Sequence, residues 1–229
     1  MTEQLQLRFT LKSDATFGRG DGVAGLVDEE IEYDARTGLP YLRGRTLKGL
    51  LVEECANIAF ALGDPDWLVK AARDLFGNPG SQLGDDGLLH VGDARLPALL
   101  REAIETDVSA GRLSAVDILE ALTAIRRQTA MSEDGAPVKE SLRNMRVLLR
   151  EITLFADLYT EAPLDEPQRA LLTACIMGLR RAGTGRNRGR GRLYNQQLHD
   201  LSREGETDIT AEGFKAFTAQ VKSAQGAAS

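Results

Sequence analysis

The chain has 229 residues, 42% hydrophobic and 27% charged, enough for one sizeable core. Its net charge of −6 excludes a globally basic polyanion binder, so any such site must be a local concentration of positive charge. Two separated cysteines and two separated histidines leave little for a zinc knuckle or a disulfide framework, and no leader pattern or membrane-length apolar run is present, so a soluble, cytoplasmic chain is expected.

Residues 4–12 alternate, with Leu5, Leu7, Phe9 and Leu11 facing one way, as in a half-buried strand. A glycine-rich turn over 13–25 and an extended piece over 26–33 follow. Gly20 to Gly25 matches G-x-G-x-x-G, but that fingerprint needs a helix to open at its third glycine. The acidic LVDEEIEYD that follows is extended in pattern, which disfavours a dinucleotide site.

The next segment carries Leu47, Leu50, Leu51, Cys55, Ile58 and Leu62 at helical spacing, with Thr46 expected as its N-cap. Arg43, Arg45 and Lys48 cluster at this helix start, where a phosphate could be held, or where three charges are simply solvated. Helices are expected over 66–76, 94–105 and 114–124, and a short strand over 88–91. His90 there reads as a packed or edge residue. Residues 125–142 contain the turn signal SEDGAP and read as a long hairpin projecting from the body, because its tip has no apolar residues to bury. Residues 143–157 continue as strand or mixed structure.

A second strong helix spans 165–181, with Asp165 or Glu166 as cap, Pro167 near its start, and Gly183 just past its end. The stretch RRAGTGRNRGRGRL follows, with arginines at 180, 181, 186, 188, 190 and 192 and glycines at 183, 185, 189 and 191. Arginine presents a planar fork to phosphate oxygens, and glycine lets backbone N–H groups approach a ligand. A strand over 192–198 closes this connection, so it lies inside a fold. A short terminal helix over 210–221 and a frayed tail complete the chain. The β–α…α–β order points to an α+β, ferredoxin-like core with large insertions.

Three stretches share an order and spacing that resemble the RAMP superfamily of CRISPR-associated proteins. They are the glycine-rich turn with Val27-Asp28 and GLPYLRGRTLKG (38–49), LFG (75–77) with LHVGDA (89–94), and residues 183–193. The likeness is greatest to the backbone subunits of type III effector complexes. It implies a single domain with an RRM-like palm (about 4–60 and 145–200), a helical lid (about 61–124), a β-hairpin thumb (about 125–144), and a C-terminal helix and tail (209–229). The thumb would wedge between guide and target strands. The resemblance further implies that Arg43, Arg45, Lys48, Arg126, Arg127, Gly185, Arg186, Arg188, Gly189, Arg190, Gly191 and Arg192 bind RNA. A site that accepts any spacer must grip phosphates in preference to base edges.

By the same resemblance, Asp28 stands where such subunits carry the catalytic aspartate for target-RNA cleavage, served by magnesium or another divalent cation. No metal ligands are assigned. The partners implied are CRISPR RNA, complementary target RNA, further copies in a filament and other effector subunits, and no membrane. Two alternatives stay open: a scaffold whose partner carries the nuclease, and a precursor-RNA endonuclease using histidine. The Cys/His zinc cluster of some relatives is absent here.

Overall fold

The computed structural model describes residues 3–23, 27–78, 87–129, 134, 142–202 and 206–227. The tip of the expected hairpin apart from Asp134, the loop at 79–86 and the third glycine, Gly25, lie outside the described residues.

The strand β1 (Glu3–Leu11) is the centre of the molecule. Its alternate residues Leu5, Leu7, Phe9 and Leu11 are completely buried on one face. It is followed by α1 (Gly44–Leu62), α2 (Asp66–Phe76), β2 (Leu89–Val91), α3 (Ala98–Ser109) and α4 (Ala115–Leu122). Then come β3 (Thr123–Gln128), β4 (Arg143–Leu148), β5 (Thr153–Thr160), α5 (Glu166–Gly178), β6 (Leu193–Asp200), β7 (Thr207–Asp208) and α6 (Thr210–Ala227). One sheet has the order β2-β5-β1-β6-β7, antiparallel throughout. Its core, β1–α1–β2 and β5–α5–β6, is a β-α-β-β-α-β unit, the ferredoxin-like pattern.

The stripes Leu47, Leu51 and Cys55 of α1 and Leu171, Leu172, Cys175 and Ile176 of α5 meet the buried face of β1 in one cluster. This explains why both helices form: each buries a stripe that water would otherwise penalise. A capping box starts α5, with Asp165 accepting from the Gln168 N–H and Gln168 accepting from the Asp165 N–H. The last helix, α6, lies along α5 and sets Phe217 edge-on against Trp67 of α2. No helix among the described residues is long and apolar enough to cross a membrane.

The hairpin expected at 125–144 is anchored as a separate ladder, β3 against β4, with Gln128 opposite Arg143 at its outer described end. Several boundaries differ from the sequence expectation. The span 61–124 is not all lid: α2 buries Leu68, Ala71 and Leu75 in the main core, and β2 is an edge strand of the main sheet. α3 has no fully buried residue, whereas α4 buries Ile118 in the same core. Residues 27–33 form isolated bridges in place of a ladder or a helix, which removes the context a dinucleotide fingerprint needs.

Gly183 is not the C′ residue of α5, which ends at Gly178 with Leu179 as its cap. Gly183 adopts φ +88° because it lies against the Thr16 carbonyl, leaving no room for a Cβ. The terminal helix is not short, since it runs on to Ala227.

Candidate nucleic-acid interface

Three segments that are far apart in the chain converge beside the sheet. The loop after β1 is tied to β4 by a two-way bridge between Ala15 and Leu148 and to the arginine–glycine loop by the Thr184 N–H to Thr16 carbonyl bond of 2.8 Å. Further along, the Asp28 N–H donates to the Asn144 carbonyl (2.8 Å) and the Arg146 N–H to the Glu29 carbonyl (3.0 Å). The far end of the arginine–glycine loop is held too, by the Gly191 N–H on the Asp14 carbonyl at 2.9 Å. Its Arg186–Arg188 segment is a single 3-10 turn bracketed by Gly185 (φ +72°) and Gly189 (φ +83°). Those positive angles are the reason glycine stands at both ends.

A buried ion pair locks this junction. Arg146 on β4 donates from Nε to Glu30 Oε1 at 2.8 Å, and the two residues are only 8% and 1% exposed. Glu30 Oε1 also accepts from the Ile31 N–H, and Arg146 Nη1 donates to Thr123 Oγ1 on β3. Both charges thus have additional hydrogen bonds, as buried charges require. The sequence reading passed over this pair, because its members lie 116 positions apart.

Between the glycine-rich loop, the hairpin base and the arginine–glycine loop lies a cleft of about 1490 Å³. Asp28, Gly185, Arg186 and Arg188 line it, joined by Arg143 from the start of β4, which the sequence reading had not singled out. Asp28 is exposed, and its Oδ2 accepts the Asn144 N–H at 2.7 Å, so the carboxylate is oriented by the hairpin base. Asp21 and Glu29 line the same cleft. Among the described residues, no three His, Cys, Asp or Glu side chains converge to hold a metal ion.

The other expected residues divide. Arg43 lines a smaller pocket of about 290 Å³ that shares Gly183, Thr184 and Arg186 with the cleft. Arg190 is half-buried, with Nη1 on the Met145 sulfur. Gly191 lets the chain pass against the Ala182 carbonyl, and Arg192 is exposed, with its N–H on Ser13 Oγ. Arg45 and Arg127 are exposed but line neither cavity. Arg126 is paired with Asp14 at 2.8 Å. Lys48 does not face the cleft, because its ammonium donates to the Leu89 carbonyl on β2 at 2.9 Å.

The expected cap of α1 is also corrected. Arg43, not Thr46, is the N-cap, and its side chain makes no capping bond. Asp93, 49 residues away, supplies the anion instead, accepting the Gly44 N–H at 2.9 Å. Burial works to raise the Asp93 carboxyl, but hydrogen bonds from Arg95 and Gly44 outweigh it and hold the group below the usual carboxylate range. A phosphate at this helix start would meet a carboxylate already in place. Neither histidine lines the cleft: His90 is on edge strand β2 beside Glu161, and His199 is buried on β6.

The RAMP superfamily model matches residues 8–194, and the chain belongs to that superfamily. None of the curated proteins searched matches it. Among solved structures, it is similar to a chain of Type III-B Cmr-beta bound to cognate target RNA, at 15% identity and a TM-score of 0.57, covering 86% of this chain and 60% of that one. It is also similar to a chain of Type III-B Cmr-beta in the apo state, at 11% identity and a TM-score of 0.60, covering 87% of this chain and 98% of that one. At such identity the likeness is one of fold.

Proposed function

We propose that this chain is an RNA-binding subunit of a type III CRISPR effector, holding guide RNA by its phosphates along the large cleft. The observation that carries the reading is the convergence of Arg143, Arg186 and Arg188 on one open cleft, in a chain of the RAMP superfamily. Arginines along a groove contact a backbone without regard to sequence. The hairpin β3–β4 forms one wall and would separate guide from target. Further copies would stack along the same guide, beside other effector subunits. The full chain should bind single-stranded RNA with an affinity that falls steeply with salt. Replacing Arg143, Arg186 and Arg188 together by alanine should flatten that slope by up to about three phosphate contacts. An unchanged slope would overturn the reading.

Asp28 is proposed as the cleavage residue, because its exposed carboxylate lines this same cleft and the hairpin base fixes its position. Its oxygens would orient the 2′-hydroxyl next to the scissile phosphate. A divalent cation fits this donor set only with RNA phosphate oxygens completing it, as magnesium commonly binds through one or two carboxylates plus substrate phosphates. Asp28 would be the protein ligand, and the ion would polarise the scissile phosphate. In the assembled complex with magnesium, Asp28→Ala should abolish target cleavage at regular intervals and leave guide binding intact.

A second reading, a scaffold whose partner cuts, is favoured by one contact: Asp28 Oδ2 already caps a backbone N–H. Unchanged cleavage in Asp28→Ala would select it. A histidine-based processing enzyme is disfavoured because neither His90 nor His199 lines the cleft. Precursor cleavage by the isolated chain would restore that reading.

A further inference from the structure

The three arginines that line the large cleft are not equivalent. Among the described residues, neither Arg143 nor Arg188 is paired with a carboxylate, whereas Arg186 is. Its Nη2 donates to both oxygens of Glu53, at 2.9 and 2.8 Å. Glu53 stands on α1, 133 positions away in the chain, and lines neither the cleft nor the smaller pocket. It therefore reaches the guanidinium from outside the two cavities that Arg186 lines.

The backbone of the loop has other supports. The Thr184 N–H donates to the Thr16 carbonyl, the Arg188 N–H to the Gly185 carbonyl at 2.8 Å, and Arg181 Nη1 to the Arg186 carbonyl at 3.3 Å. Glu53 thus sets the direction of one side chain, and the 3-10 turn beneath it can stay in place when that side chain moves.

A guanidinium grips an anion best by two parallel bonds, from Nε with Nη2 or from Nη1 with Nη2. Nη2 belongs to both forks. While Glu53 holds it, Arg186 can offer a phosphate only single bonds. Both side chains of the pair are partly exposed, so it is a weak surface pair that another anion can displace.

We propose that Glu53 is a positioning residue of the RNA site, acting through Arg186: it keeps the fork on α1 until a backbone phosphate takes it over. The proposal rests on the RNA-binding reading above. Every nucleotide brings the same phosphate, so the exchange is indifferent to sequence. Arg143 and Arg188 have no such partner to release and make the first contacts. A strand held by them presents its next phosphate to Arg186 at high effective concentration, whereas an isolated anion has only Arg186 with which to displace Glu53. The site thereby favours a chain of phosphates over a single one.

The test titrates a labelled decauridylate into the full chain at three salt concentrations, for wild type, Glu53→Gln, Arg186→Ala and the double variant. At the lowest salt Glu53→Gln should bind about two- to fivefold more tightly than wild type, the range an exposed ion pair spans. The gain should shrink as added salt screens the pair. In the Arg186→Ala background the same change should give well under half that gain, because only the loss of one negative charge remains. Equal affinity of wild type and Glu53→Gln at low salt overturns the proposal. Weaker binding by Glu53→Gln, or an equal gain in both backgrounds, overturns it as well. Failure of wild type to bind at all overturns the RNA-binding reading, whereas binding by wild type with no gain in Glu53→Gln overturns only the role of Glu53.

Discussion

Replacing Arg146 by methionine would remove one charge from the junction that holds the whole cleft together. Arg146 and Glu30 are almost entirely excluded from water, at 8% and 1% exposure, and are joined at 2.8 Å. Taking away the guanidinium leaves the Glu30 carboxylate buried with only the Ile31 N–H as a described partner. Breaking a buried pair in this way costs about 3–5 kcal/mol. With a urea m-value of about 3 kcal/mol/M, the unfolding midpoint should fall by roughly 1–1.7 M. The double change Glu30→Leu with Arg146→Met removes both charges and should recover most of that loss, since a well-packed apolar pair commonly matches a buried ion pair. Urea titration followed by circular dichroism reads both shifts. RNA cleavage should also drop in the single variant, because Asp28 takes its position from the strand that Arg146 anchors. A midpoint shift of less than about 0.3 M in the single variant, below about 1 kcal/mol, would refute the argument that the pair is desolvated.

Two other perturbations separate backbone strain and titration from binding. Gly191→Ala places a Cβ 1.8 Å from the Ala182 carbonyl at φ +60°, whereas Gly189→Ala meets nothing within 4 Å at φ +83°. The first should lose at least about 2 kcal/mol, some 4–8 °C in melting temperature, and the second about half as much; equal losses would show that the close approach at 191 is not made. Burial and the nearby Arg8 push the His199 imidazole below its usual value, with Asp208 opposing, and neither ring nitrogen has a hydrogen-bond partner among the described residues. The unfolded chain therefore binds a proton that the folded chain resists, so stability is lost as pH falls below about 6.5. His199→Leu should reduce that acid-side loss relative to wild type in melts from pH 7.5 to 5, and parallel curves would remove His199 as its source.

The sequence by itself determined the elements whose signal is contained within a few residues. Alternation alone marks Leu5, Leu7, Phe9 and Leu11 as the core face of β1, and helical spacing alone marks the stripes of α1 and α5. Local chemistry narrowed the cap of α5 to Asp165 or Glu166, and the structure selects Asp165, paired with Gln168 three residues on. The arginine–glycine loop was legible as a candidate anion site for the same reason, since its glycines and arginines are neighbours. Where the partner comes from elsewhere in the chain, the sequence was silent or misleading. Thr46 has the chemistry of a cap, yet Asp93 supplies the capping anion at the start of α1. Lys48 has the charge for a phosphate, yet its ammonium is held by the Leu89 carbonyl. Arg143, Arg146 and Glu30 carried no local pattern; only the tertiary fold sets Arg143 in the cleft and joins Arg146 to Glu30 where the glycine-rich loop meets β4. Periodicity reports which face of a segment avoids water. Which charge meets which partner is set by chain crossings 41 to 116 residues apart, and those exist only once the sheet has formed.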